Sequence, residues 1–112
     1  MLAFLAMPGL AEVPKPQVAI ANPGQCVAPA EVMRRSHMDM LKHQRDRTLR
    51  QGERGAKYSL NACIECHASK DNGSVLGSRE NFCESCHSYV AVKLDCFECH
   101  QPKAVTTAGA KP

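Results

Sequence analysis

Residues 63–100 repeat one five-residue pattern three times: Cys63-Ile-Glu-Cys66-His67, Cys83-Glu-Ser-Cys86-His87 and Cys96-Phe-Glu-Cys99-His100. Cysteines spaced in this way serve several chemistries, among them zinc knuckles, iron–sulfur ligation, disulfides and redox-active thiols. The residue after the second cysteine separates these. It is histidine in every copy, and Cys-x-x-Cys-His is the attachment pattern of c-type haem. In that chemistry both thiols become thioethers to the haem vinyl groups, and the next imidazole is the proximal iron ligand. A zinc knuckle has no need of histidine at that place in all three copies. The pattern predicts three covalent haems c anchored by Cys63, Cys66, Cys83, Cys86, Cys96 and Cys99, with His67, His87 and His100 on the irons.

Three six-coordinate irons need three more ligands. Only His37 and His43 remain of the five histidines, one short of three bis-histidine haems. Sulfur must then be considered, and it gathers in residues 26–46, "CVAPAEVMRRSHMDMLKHQRD", which hold Cys26, Met33, His37, Met38, Met40 and His43. A thioether ligand raises the haem potential, whereas a thiolate pushes electron density onto iron and lowers it. Cys26 is the odd one of seven cysteines. Its six sisters are consumed as thioethers, and the preceding "NPGQ" lacks the apolar-small-small pattern of a lipidation site. The readings left for it are a haem ligand, a buried bystander thiol, or half of an intermolecular disulfide. Met33 is the favoured thioether ligand because it shares a helix face with His37, and Met40 is second. At least two of the three methionines only pack against haem.

These groups sit on a chain of 112 residues with no Trp, three Phe and two Tyr, too poor in large apolar side chains to build much of a core. Chains this small often lean on a metal or cofactor for what packing does not supply, so the haem-free chain is expected to be largely unfolded. One good helix is predicted over Ala30–Gln51, with Pro29 suiting a first turn and Gly52 or Gly55 supplying the stop. At ~100° per residue its Met33, His37, Met40 and Leu41 share a face, His43 lies beside it nearer Met40, and Met38 points away. Ser78 is expected to cap a short helix leading into the second motif. Only residues 88–95 separate the second and third motifs, so their haems should be neighbours. Fold and domains follow: a small, mainly α and irregular multihaem cytochrome c, with one longer helix plus short helices and loops wrapped around three haems. Residues 26–112 form that domain, with a Pro-, Ala-, Thr- and Gly-rich tail from 102 expected to be disordered. Residues 1–25 are a remnant of a signal or anchor followed by a Pro-rich linker. The opening "MLAFLAMPGLA" reads as the apolar part of a secretion signal; no basic residue precedes it, so its true start is expected upstream or trimmed away.

Charge divides along the same line. Residues 26–57 carry eight Lys/Arg against four Asp/Glu, net +4, and residues 58–112 carry five against six, net −1. Each haem brings two propionates, so the haem-loaded protein should be near neutral. The basic helix is better explained by propionates and a partner surface than by nucleic acid.

The signal-like opening, "CVxPxxxMRxxH" from Cys26 to His37, "HQRD" at 43–46 and the three haem motifs together resemble the triheme cytochrome c subunits, DsrJ, of DsrMKJOP membrane complexes. The resemblance covers residues 26–100, and its specific part is Cys26–Asp46. It implies an electron-transfer subunit on the outer, periplasmic face of the membrane, in a complex with iron–sulfur and quinone-interacting membrane subunits that serves dissimilatory sulfur metabolism. It further implies one bis-His, one His/Met and one His/Cys haem, which Cys26, Met33 and either His37 or His43 would complete. A soluble periplasmic carrier is a further expected partner. The family's N-terminal anchor has no full-length counterpart here. Electron transfer, with no catalytic residues of the chain's own, is the favoured reading. The alternatives are a haem enzyme acting on a sulfur substrate at a His/Cys-ligated iron, and a structural zinc-knuckle protein.

Overall fold

A computed structural model describes residues 15–18 and 24–105. The apolar opening segment 1–11 and residues 106–112 of the tail lie outside the described residues, as does most of the linker. The described chain is helical and irregular, with no strand and one isolated antiparallel bridge, Ser74 to Lys103.

Helix α1 spans Ala30–Gln51, the range expected. Proline fixes the entry: Pro29 occupies the N-cap with φ −53°, and its carbonyl accepts from Met33 N at 3.0 Å. The exit is Gly52, whose left-handed φ of 71° lets its N–H turn back to Thr48 O at 3.2 Å, the conformation glycine adopts without a Cβ penalty. Met33, Ser36, His37, Met40, Leu41, Gln44 and Thr48 form the less exposed side, while Met38 and Leu49 face solvent. Gln44, buried, is satisfied within the helix: its Nε2 donates to Thr48 Oγ1 at 3.1 Å and its Oε1 accepts from Arg47 Nη2 at 3.0 Å.

Two shorter helices follow, α2 over Leu60–His67 and α3 over Phe82–Tyr89, and then a 3-10 turn at Asp95–Glu98. Ser59 caps α2, its Oγ accepting from Ala62 N at 3.4 Å. Ser78 does not cap α3, contrary to the sequence expectation; Asn81 holds that position. Ser78 is spent on a turn of its own: its Oγ accepts from Glu80 N and contacts the Glu80 carboxylate, and its carbonyl accepts from Asn81 N at 3.0 Å.

Among the described residues, the buried apolar ones are Ile64, Ala68 and Val75, with Leu60, Leu76, Cys83, Phe97 and Ala104 packed around them. The core therefore lies where α2, α3 and the 3-10 turn meet, around the loop 69–81. Backbone bonds from residues 73–76 tie the three together. Ser69 N donates to Ser74 O (2.9 Å), Glu84 N to Val75 O (3.2 Å), Val75 N to Pro102 O (2.9 Å) and Ala104 N to Gly73 O (2.9 Å). The tail is thus ordered at its beginning: residues 102–104 are pinned by backbone pairing, a partner that local composition does not reveal.

Asn81, 2% exposed, donates from its side chain to Leu76 O and so locks this loop onto α3. Asn81→Ala leaves that carbonyl without its partner, at a cost of about 1–3 kcal/mol. Thermal melts of the protein with its cofactors in place, followed by circular dichroism, should show a midpoint lower by several degrees; an unchanged midpoint would show that the loop needs no such lock.

Candidate functional site

Each Cys-x-x-Cys-His motif is laid over one helical turn: the first ends α2, the second lies within α3, and the third straddles the 3-10 turn, where His100 N donates to Cys96 O at 3.1 Å. Residues at i, i+3 and i+4 share a helix face. The two sulfurs and the imidazole of a motif therefore emerge together, which is what attachment of one flat ligand requires.

The cysteines of a motif are not equivalent. Cys63, Cys83 and Cys96 are half-buried against the core side, whereas Cys66, Cys86 and Cys99 are exposed, and none of the seven forms a disulfide. Burial pushes the Cys83 thiol up to about 12, with the neighbouring Cys96, Cys63 and Cys86 charges adding to it. Cys63 and Cys96, the leading cysteines of the other two motifs, thus both lie within electrostatic reach of Cys83. Cys63 is raised as well, first by burial and then by Cys26 and Cys66, which puts Cys26 beside the first motif. A thiol this reluctant to ionise is a weak nucleophile.

The three motif histidines have different surroundings. His67 stacks on Phe82, ring centroids 3.8 Å apart at 27°, and burial lowers its pKa, favouring the neutral ring. Its Nδ1 is buried without a hydrogen-bond partner. His87 is clasped by a turn. Beyond α3, Ala91 N donates to Ser88 O (3.4 Å) and Val92 N to His87 O (3.0 Å), with Ala91 in the left-handed region at φ 53°. This is a Schellman closure with alanine where glycine is usual. Val92 O in turn accepts from His87 Nδ1 at 3.3 Å. A carbonyl only accepts, so Nδ1 carries the proton and Nε2 keeps its lone pair. His100 is exposed.

Among the proposed distal ligands, Met33, His37 and Met40 are half-buried on the inner side of α1, while His43 and Cys26 are exposed. His43 lines a shallow groove of α1 with Asp46, Arg47, Arg50 and Gln51. The structure brings one of this set against a motif histidine: the His37 and His87 rings lie 5.9 Å apart, centroid to centroid, at 79°. His37 Nδ1 donates to Met33 O at 2.8 Å. Two residues escaped the sequence reading, Val92 and Phe82, which hold His87 and His67. Only the aromatic character of Phe82, next to Cys83, offered a signal; a backbone carbonyl such as that of Val92 offers none.

These residues fit c-type haem. No group of three or more His, Cys, Asp or Glu converges on one point among the described residues, as a zinc or iron–sulfur site would need. A porphyrin-held iron asks the protein for axial donors alone. The oriented Nε2 of His87 suits that role, and Tyr89, Val90 and Val92 offer exposed apolar surface beside the second motif.

The chain is 34% identical over 85 residues to the Hdr-like menaquinol oxidoreductase cytochrome c subunit of Archaeoglobus fulgidus, an alignment that takes in 73% of this chain. The chain spans 60% of the length of that curated relative. No family model and no solved structure matches it.

The Schellman turn that orients His87 carries a measurable strain. A non-glycine residue in the left-handed region costs ~1–2 kcal/mol, so Ala91→Gly should raise stability by about 1 kcal/mol, and Ala91→Val should lower it. Thermal melts of the haem-loaded variants read both; equal midpoints for the two would contradict the left-handed assignment.

Proposed function

We propose that this chain is a triheme c-type cytochrome acting as the electron-transfer subunit of a membrane-bound redox complex, on its extracytoplasmic face, in sulfite or sulfur metabolism. The observation that carries the reading is the threefold Cys-x-x-Cys-His pattern, each copy on one helical turn with its thiols unpaired. Haem supplies one-electron redox chemistry when bound, and the protein sets its potential through axial ligands and their hydrogen bonds. In this chain Cys63, Cys66, Cys83, Cys86, Cys96 and Cys99 hold the porphyrins, and His67, His87 and His100 take the irons. Cys26, Met33 (or Met40), His37 and His43 are the distal donors. The domain is residues 26–112.

Similarity to a cytochrome c subunit of a menaquinol oxidoreductase supports partner subunits that exchange electrons with a quinone pool. The link to sulfur metabolism is finer than that similarity and rests on the Cys26–Asp46 stretch. Charge supports the assembly: Arg34, Lys42, Arg50 and Arg54 have no carboxylate partner among the described residues, whereas Arg35, Arg45 and Arg47 pair with Glu31, Asp46 and Glu53. That leaves a basic helix with cations to offer propionates or a partner. No helix of the described residues is long and apolar enough to cross a membrane, so the proposed attachment runs through partner subunits or an N-terminal segment.

Covalent haem survives denaturation, so the denatured chain should stain for haem in a gel, and its pyridine haemochrome should count three per chain; a chain without covalent haem overturns the reading. Sulfite or sulfide should change the spectra only by reduction, and turnover to a new sulfur product would favour the enzyme. Cys26→Ser should keep three haems and remove one low-spin EPR component of thiolate character. An unchanged spectrum would exclude Cys26 from the iron.

A further inference from the structure

We propose that His37 and His87 are the two axial ligands of a single iron, that of the second motif, so that helix α1 closes over α3 through this bond. The inference rests on the haem reading above and adds what the sequence did not give: which distal residue serves which motif.

The first support is the spacing. An imidazole nitrogen binds a transition metal at roughly 2 Å, and the ring centre lies roughly 1 Å behind the nitrogen. Two imidazoles on opposite sides of one metal therefore have centroids about 6 Å apart. The His37 and His87 rings are 5.9 Å apart. An edge-to-face contact of two bare rings covers the same range, so the spacing admits a shared metal and the tautomers below decide for it.

The second support is the tautomer. His37 Nδ1 meets Met33 O at 2.8 Å and His87 Nδ1 meets Val92 O at 3.3 Å. Because a carbonyl only accepts, both rings carry their proton on Nδ1 and both keep a lone pair on Nε2. Two such rings have no hydrogen bond to offer each other through Nε2. A shared Lewis acid satisfies both. The arrangement, with Nδ1–H held by a backbone carbonyl and Nε2 free, is the usual preparation of a metal-binding histidine. The two clasps are independent, one a helix i, i−4 contact and the other a Schellman turn.

Placement on the helix supports the same choice. His43 lies six residues on and is exposed, about 240° around α1 from His37. It does not share His37's side. Beside His87 the surface is concave and partly apolar, lined by Leu76, Ala91, Val92 and Leu94. Cys26, Met33, Met40 and His43 are then left for the irons of the first and third motifs, so the sulfur ligation inferred from the shortage of histidines falls there.

The test uses the haem-loaded protein. His37→Ala should keep three covalent haems by pyridine haemochrome and lose one low-spin ferric EPR component, with a high-spin signal in its place. Added imidazole should restore the low-spin signal. Low-spin signals unchanged by the substitution overturn the proposal. Where the variant does not mature, the unaltered protein decides: in the reduced, diamagnetic state the ring protons of His37 and His87 should both show ring-current shifts and NOEs to the same porphyrin. NOEs from His37 to a different porphyrin, or ordinary shifts for its ring, also overturn it. A chain with no covalent haem would instead sink the underlying reading.

Discussion

The haem-motif half of the molecule depends on four residues, Gly73 to Leu76, and on how their backbone groups are spent. Val75 is fully buried, and a buried N–H or C=O must find a partner. Its N–H goes forward to Pro102, and its C=O takes the Glu84 N–H from the first turn of α3. Ser74 O takes Ser69 N just beyond α2, and Gly73 O takes Ala104 N. One short segment therefore fixes the exits or entries of all three motif-bearing elements. The side chains add little: among the described residues only Ile64, Ala68 and Val75 are buried and apolar. With the centre made of backbone bonds, the second cysteine of each motif (Cys66, Cys86 and Cys99) and His100 are turned to the periphery, where large ligands can be accommodated.

Around that hub the three motif histidines are held in three ways. His87 has a carbonyl partner on Nδ1, His67 has an aromatic face and a bare, buried Nδ1, and His100 stands in solvent. A proximal imidazole that donates to a carbonyl is the more basic ligand. On the proposed function, the second haem is thereby biased toward the oxidised state relative to the first, before any difference in distal ligand is counted. On that reading, a small chain gains a spread of potentials from backbone placement as well as from ligand identity.

What the sequence conveyed and what it withheld divide by range. Helix α1 was legible because its signals are local: Pro29 sets one end, Gly52 the other, and the three-four spacing of Met33, His37 and Met40 gives the face. The helical turn under each motif was not predicted, although the motifs themselves are written in consecutive residues. Ser78 misled because Asn81, three residues on, is as good a cap, and local pattern does not rank two such residues. The ordered start of the tail and the Val92 clasp are backbone bonds to distant or ordinary residues, so no side-chain type announces them. The meeting of His37 with His87 spans fifty positions of chain and depends on how α1 lies against α3. The count of histidines raised sulfur as a ligand but did not say where.

Order of assembly follows from the buried sulfurs. The leading cysteine of each motif is the half-buried one, and the Cys83 thiol, at about 12 once packed, is scarcely ionised at neutral pH. If these cysteines carry haem as proposed, thioether formation is easiest on an open chain, and the small core of the described residues gives little reason to close early. The motifs lie in the C-terminal half, while the distal donors lie upstream on a helix with few ties to the rest. On this reading the hub condenses around porphyrins already attached, and α1 docks last, when His37 finds an iron to bind. The long, basic, weakly packed character of α1 then has a reason. On the proposed ligation, the helix needs little contact with the rest of the protein because its contact is with the metal.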